Sequence, residues 1–168
     1  MSRRVEAWLR GPVEGVPPHL MPVAHALMHA VEDTRAAAAA LNAAQLWQRP
    51  AGAASVGFHL RHTAGALDRL LTYARGEALS EAQLAALKVE GEPGDPAADA
   101  AHLLAALDAA VARALTQLRE TPAGLLLEPR EVGAKKLPST VIGLLFHAAE
   151  HAQRHAGQVV ATAKFLSG

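Results

Sequence analysis

Three histidines recur at intervals of four in Phe146-His147-Ala148-Ala149-Glu150-His151-Ala152-Gln153-Arg154-His155-Ala156-Gly157-Gln158. A helix turns about 100° per residue, so side chains four apart lie nearly above one another. His147, His151 and His155 therefore form one imidazole stripe. They cannot all hold a single ion, because His147 and His155 stand roughly 12 Å apart along the axis at ~1.5 Å per residue. Only a neighbouring pair, 147/151 or 151/155, can chelate one metal, and that pair needs a third ligand from elsewhere. The i,i+4 spacing is the one by which a single helix supplies two zinc ligands.

Nine histidines are available and no cysteine is, which excludes thiolate ligands, thiolate nucleophiles and disulfides. His59 and His62 form a second cluster, and His25 and His29 a further i,i+4 pair that offers an alternative or second site. Helical periodicity puts Val56, Leu60, Thr63 and Leu67 on a core face, with His59 at its border and His62 further round. Periodicity thus leans towards His59. His19 and His102 are isolated, Lys135-Lys136 reads as a solvated turn, and Trp8, Trp47 and Tyr73 read as packing residues. No phosphate-binding glycine loop, G-x-S-x-G elbow or H-E-x-x-H occurs. Glu150 precedes His151, but the residue four before His151 is His147.

The elements that must position these residues are helical. Ala and Leu are abundant, whereas aromatic residues make up only 4% of the chain. A length of 168 residues suits one domain, 1–168, with 1–18 as an N-terminal extension. Sixteen basic and sixteen acidic residues cancel, so no charge draws the chain to nucleic acid or an anionic membrane. No apolar run is long enough to span a bilayer. The charged start, Met1-Ser2-Arg3-Arg4-Val5-Glu6, is not followed by the apolar segment of a signal peptide. The expected location is the cytoplasm.

Breakers divide the chain. A short turn around Val5 to Leu9 precedes a helix from about His19 to Leu46, with Pro22 in its first turn. Arg49-Pro50-Ala51-Gly52 ends that segment, and a second helix runs from Ser55 to Gly76. Ser80-Glu81-Ala82-Gln83 resembles a capping box that opens a short helix over 81–90. After the linker Gly91-Glu92-Pro93-Gly94-Asp95-Pro96, a third long helix begins at Asp95 or Pro96 and stops at Thr121-Pro122. Residues 122–138 hold too many breakers for a regular element, although Leu125-Leu126-Leu127 suits brief extended structure. The last helix spans about Thr140 to Phe165, with Val141, Leu145, Ala149, Ala152, Ala156, Val160 and Ala163 on its apolar side. The histidine stripe borders that side, while Glu150, Gln153 and Lys164 face solvent. The expectation is all-α: a four-helix bundle with a short extra helix and a Gly/Pro-rich loop before the last helix.

Ser55-Val56-Gly57-Phe58-His59-Leu60-Arg61-His62-Thr63-Ala64-Gly65 resembles the second-helix motif of the DinB/YfiT-like superfamily. His151-Ala152-Gln153-Arg154-His155-Ala156-Gly157-Gln158 is similar to its last-helix motif, two histidines four apart followed by Gly-Gln. The likeness runs roughly from residue 20 to 166. It implies an often dimeric four-helix bundle in which three histidines bind a divalent metal such as Zn, Ni or Fe. Carried over by position, the ligands are His62, His151 and His155, against the lean towards His59. His59 and His147 become neighbours that order water, tune the metal or move protons. The resemblance further implies a small-molecule substrate and either a thiol S-transferase using bacillithiol or mycothiol, or a hydrolase. The alternative is a non-catalytic, metal-stabilised stress or binding protein.

Overall fold

Four long helices carry the architecture in a computed structural model that describes residues 5–167. They are α1 (Met21–Ala38), α3 (Val56–Ala74), α5 (Ala100–Glu120) and α6 (Val141–Ser167), with shorter α2 (Ala43–Trp47) and α4 (Glu81–Lys88) between them. Helix α6 packs against both α1 and α3, and α5 closes the far side against the same two helices. The result is the expected four-helix bundle. Residues 1–4, which opened the charged start, lie outside the described residues.

The core is almost entirely Leu, Val and Ala, with Leu20, Leu27, Leu46, Leu60, Leu67, Leu103, Leu118 and Leu145 fully enclosed. Helix α6 contributes Ala148, Ala149, Ala152 and Ala156 to its buried side. Small side chains there let neighbouring backbones approach. Val159, not Val160, continues that side, and Gln153 is half-buried because its amide donates to the Ala26 carbonyl at 2.7 Å.

Helix ends follow side-chain capping chemistry. Ser55 Oγ accepts from Phe58 N at 3.1 Å to open α3, and Gly76 at φ +81° takes the left-handed stop after it. The capping box of Ser80 with Gln83 forms as expected, although α4 ends at Lys88. The first expected helix is two elements. Asn42 makes its own capping box with Gln45, which starts α2 and ends the run that high alanine propensity suggested would reach Leu46. Helix α5 starts at Ala100 because Asp99, accepting from His102 N at 2.8 Å, is the cap.

The loop before α6 is more ordered than its breakers suggested. A 3-10 turn, Ala123–Leu125, leads to an antiparallel hairpin of β1 (Pro129–Val132) and β2 (Leu137–Thr140), paired Pro129 with Thr140 through Val132 with Leu137. The extended structure thus falls on 129–140, not on Leu125-Leu126-Leu127. The segment before the hairpin and the hairpin's last residue serve α6 directly. Free N–H groups of the helix start donate to Glu128 O (3.2 Å, from Val141), Leu126 O (2.9 Å, from Ile142) and Thr140 Oγ1 (3.1 Å, from Gly143).

Helix α2 is locked onto α3 by Trp47. Its indole Nε1 donates to Ala98 O at 2.9 Å, the Arg61 guanidinium lies 4.8 Å from its ring centroid, and a Cβ on Gly57 would meet the ring at 2.8 Å. Alanine in place of a helical glycine is normally worth about 1 kcal/mol. Here the clash with a pinned ring reverses the sign. Gly57→Ala is expected to destabilise by about 1–3 kcal/mol, measured by urea denaturation; a variant as stable as the parent would rule out this close packing.

Candidate metal centre

Helix α3 brings His59 and His62 to the groove facing α6, and α6 brings His151 and His155. His62, His151 and His155 each offer a ring nitrogen, and the three nitrogens lie within 4.8 Å of one another. Among the described residues no other group of three or more histidines or carboxylates is so placed. His62 Nε2 faces His151 Nε2 at 3.0 Å. The ring centroids stand 4.5 Å apart for His151 and His155 and 4.7 Å for His62 and His155. Two nitrogens bound to one zinc at about 2.0–2.1 Å would stand roughly 3.3 Å apart in a tetrahedron. Modest ring rotations span the difference.

The second ring nitrogens are mostly engaged. His62 Nδ1 meets Glu90 Oε2 at 2.7 Å, and His155 Nδ1 meets His59 Nδ1 at 2.8 Å. Each engagement leaves Nε2 of the same ring for the centre of the cluster. Nδ1 of His151 is buried without a hydrogen-bond partner. On the opposite side of the rings three nitrogens converge within 4.8 Å of one another, the donor set that an ion binding through imidazoles requires. The residues therefore fit a divalent metal held by neutral imidazoles.

Electrostatics favour that neutral state. Burial, followed by the positive charge His62 would carry, lowers the pKa of His59 to about 4. Burial, followed by His151, lowers that of His155 to about 3. His151 is lowered by burial first and His62 second. Burial works against ionising Glu90, yet the hydrogen bonds from His62 and Arg69 outweigh it and hold the carboxyl below its usual range.

The other histidines take separate positions. His59 is buried and bonds to His155 instead of joining the three-nitrogen cluster, so the core-facing side chain is the neighbour and the one further round reaches the cluster. His147 is half-exposed, 5.5 Å from His151 between ring centroids, and pairs with Glu150 at 3.2 Å. His25 Nε2 bonds the Gly11 carbonyl at 2.9 Å while His29 pairs with Asp33 at 3.4 Å. That i,i+4 pair is divided between unrelated partners.

Glu90 and Arg69 were not legible as site residues. Glu90, on the turn after α4, is 4% exposed and joins His62 to Arg69 through its two oxygens. A signal existed in Gly65: an interior helical glycine costs about 1 kcal/mol and asks for a close approach to explain it.

Residues 26–159 match the family model described as the DinB superfamily. The chain belongs to the DinB superfamily. A crystal structure described as the conserved protein of a locus from Enterococcus faecalis shares the fold, with a TM-score of 0.67 at 22% identity over 89% of this chain and 97% of that one. No curated protein matches the sequence. No described helix of this DinB-superfamily chain is long and apolar enough to cross a membrane.

The lowered histidines predict how stability depends on pH. An unfolded imidazole titrates near 6.5, whereas folded His59 and His155 titrate near 4 and 3. Between those values the unfolded chain binds more protons, so stability is lost as pH falls and is fully present above about 6.5. Chelator-treated protein is expected to show a lower urea midpoint at pH 5 than at pH 7.5. An unchanged or higher midpoint at pH 5 would contradict the buried neutral imidazoles.

Proposed function

We propose that this protein is a divalent-metal-dependent enzyme in which His62, His151 and His155 hold the ion and a thiol or water attacks a small electrophile. The observation that carries the reading is the set of three ring nitrogens within 4.8 Å of one another, drawn from two facing helices. An ion bound there would keep its full positive charge and an open position, and would lower the pKa of a coordinated water or thiol. The absence of cysteine supports an external thiol, of the bacillithiol or mycothiol type, or water as the nucleophile.

The chain's own groups divide the remaining work. His59 orients His155 through the Nδ1 contact and, with its pKa near 4, is a hydrogen-bond partner more than a base. His147, half-exposed beside His151 with its Nδ1 towards Glu150, is placed to take a proton at its other nitrogen and pass it to solvent. Phe58 stacks on His62 with planes 14° apart and centroids at 5.1 Å, which fixes that ring's tilt and shields it from water. A recess of about 230 Å³ lined by Arg49, Ala54, Ser55, Phe58 and Gly91 adjoins the site through Phe58. Its size suits a small molecule, and Arg49 suits an anionic group on it. The active unit is a homodimer, as the resemblance from which the ligand set was carried over implies, and it works in the cytoplasm, which the cysteine-free composition suits.

Purified protein is expected to hold one divalent metal per chain by elemental analysis. His151→Ala is expected to lose it, together with thiol transfer or hydrolysis on electrophilic test substrates. Chelator should lower the melting temperature of the parent and leave that of the variant unchanged. Metal content that survives in His151→Ala sinks the reading. A large chelator effect with no turnover of either kind would instead leave a metal-stabilised, non-catalytic protein.

A further inference from the structure

The three imidazoles are supported unequally. His155 leans on a second imidazole, His151 Nδ1 has no partner, and only His62 is backed by a carboxylate. We propose that Glu90 is a positioning residue for the metal centre: it holds His62 with the proton on Nδ1 and thereby aims the Nε2 lone pair at the point shared with His151 and His155. This inference rests on the proposed ligand set. It adds a residue on another element, outside both histidine motifs, whose role is to set the strength and direction of one ligand.

Four observations support it. The carboxylate is divided, with Oε2 2.7 Å from His62 Nδ1 and Oε1 accepting from Arg69 Nη1 at 2.5 Å. A buried Arg–Glu pair alone would account for Arg69 but leaves the second oxygen on the imidazole unexplained. Both charged residues are enclosed, Glu90 at 4% and Arg69 at 8% exposure, so neither is a surface ion pair. Room for them comes from Gly65: a Cβ there would lie 2.4 Å from Glu90 Oε1 and 2.8 Å from Arg69 Nη1. His62, Gly65 and Arg69 occupy positions i, i+3 and i+7, so one face of α3 carries the ligand, the gap and the counter-charge. Finally, the turn that delivers Glu90 is anchored. Arg61 donates to Val89 O at 3.3 Å and Pro93 O at 3.4 Å, and also to Glu92 O.

A carboxylate behind a ligating imidazole fixes its tautomer and raises its basicity, and loss of such a partner weakens metal binding 10- to 100-fold. Glutamine cannot replace Glu90. Its single amide oxygen can serve His62 or Arg69, and its NH2 then opposes the other donor. Aspartate keeps the charge beside Arg69 but is one methylene too short to reach both partners.

The test uses the full chain, stripped of metal and titrated with zinc and with cobalt(II) against a competing chelator. Parent, Glu90→Gln and Glu90→Asp are compared, and imidazole 15N shifts of the metal-free proteins report the His62 tautomer. The expected result is a 10- to 100-fold loss of affinity in both variants. His62 should be protonated at Nδ1 in the parent and a tautomer mixture in the variants. Affinities within twofold of the parent, or an unchanged His62 tautomer, would overturn the positioning role even if melting temperature falls, since Glu90 would then brace only the fold. If Glu90→Gln does not fold, Glu90→Asp carries the same test. A parent that binds neither metal removes the proposed function, and this inference with it; a parent that binds while both variants bind equally removes the inference alone.

Discussion

Four imidazoles, those of His59, His62, His151 and His155, share the groove between α3 and α6, and the structure depends on giving them partners there. A buried polar group without a hydrogen bond is costly, and a buried charge more so. The lowered pKa values of His59, His151 and His155 express that constraint, since burial is the largest cause in each case. The chain meets it by pairing imidazole with imidazole on one side and imidazole with Glu90 on the other. The carboxylate does not stand alone, because Arg69 compensates its charge within the same enclosed space. What remains is a centre whose ring nitrogens converge without a charged side chain among them.

That arrangement asks for close backbone approach, and the chain supplies it with small residues. The alanines of α6 allow the helix to settle between α1 and α3, while Gly57 admits the Trp47 ring and Gly65 admits Glu90 with Arg69. Elements that look peripheral fix the two helices that carry the histidine cluster. The carbonyls of Leu126 and Glu128, just before the β1–β2 hairpin, and Thr140 Oγ1 at its end satisfy the first N–H groups of α6, and Arg130 on the hairpin donates to Ala74 O at 2.9 Å, tying the start of α6 to the end of α3. Helix α4 is exposed along its length, yet Gln83 binds it to Asp68 and Thr72 of α3 at 2.6 and 2.9 Å. The turn that follows can then deliver a buried glutamate from an otherwise solvent-covered element.

The long helices were legible because 3.6-residue periodicity, Ser55, Gly76 and the Ser80 box are local signals, and local chemistry decided those boundaries. The split at Asn42 was legible in principle as an Asn-x-x-Gln box but was hidden by strong alanine propensity on either side. The hairpin at 129–140 was obscured because two short strands with prolines at their ends have little periodic signature, and their stability comes from packing on α3 and α6. For the site, spacing narrowed the α6 stripe to alternative pairs, and helical phase pointed to the wrong member of the His59/His62 pair for the cluster. Phase measures which way a side chain leaves its own helix. The groove between α3 and α6 is entered from beyond the border of the apolar face, so His59 at that border is buried behind the cluster and His62, further round, joins it. Glu90 was beyond reach because nothing local marks a residue whose partners lie 21 and 28 positions away.

The asymmetry of support has a consequence for how such a centre can be used. On the His62 side, Phe58, Glu90 and Arg69 leave the ring little freedom. On the other side, His147 is half-exposed and its contact with Glu150 is a surface one, as is the pairing of Glu150 with Arg154. A rigid wall thus faces a solvent-accessible one across the cluster. Three protein nitrogens also fall one short of a closed tetrahedral set. The same helix face that supplies His151 and His155 ends in His147, turned towards solvent and the Glu150 carboxylate, so that end of the stripe meets water while the His62 end is enclosed around Glu90.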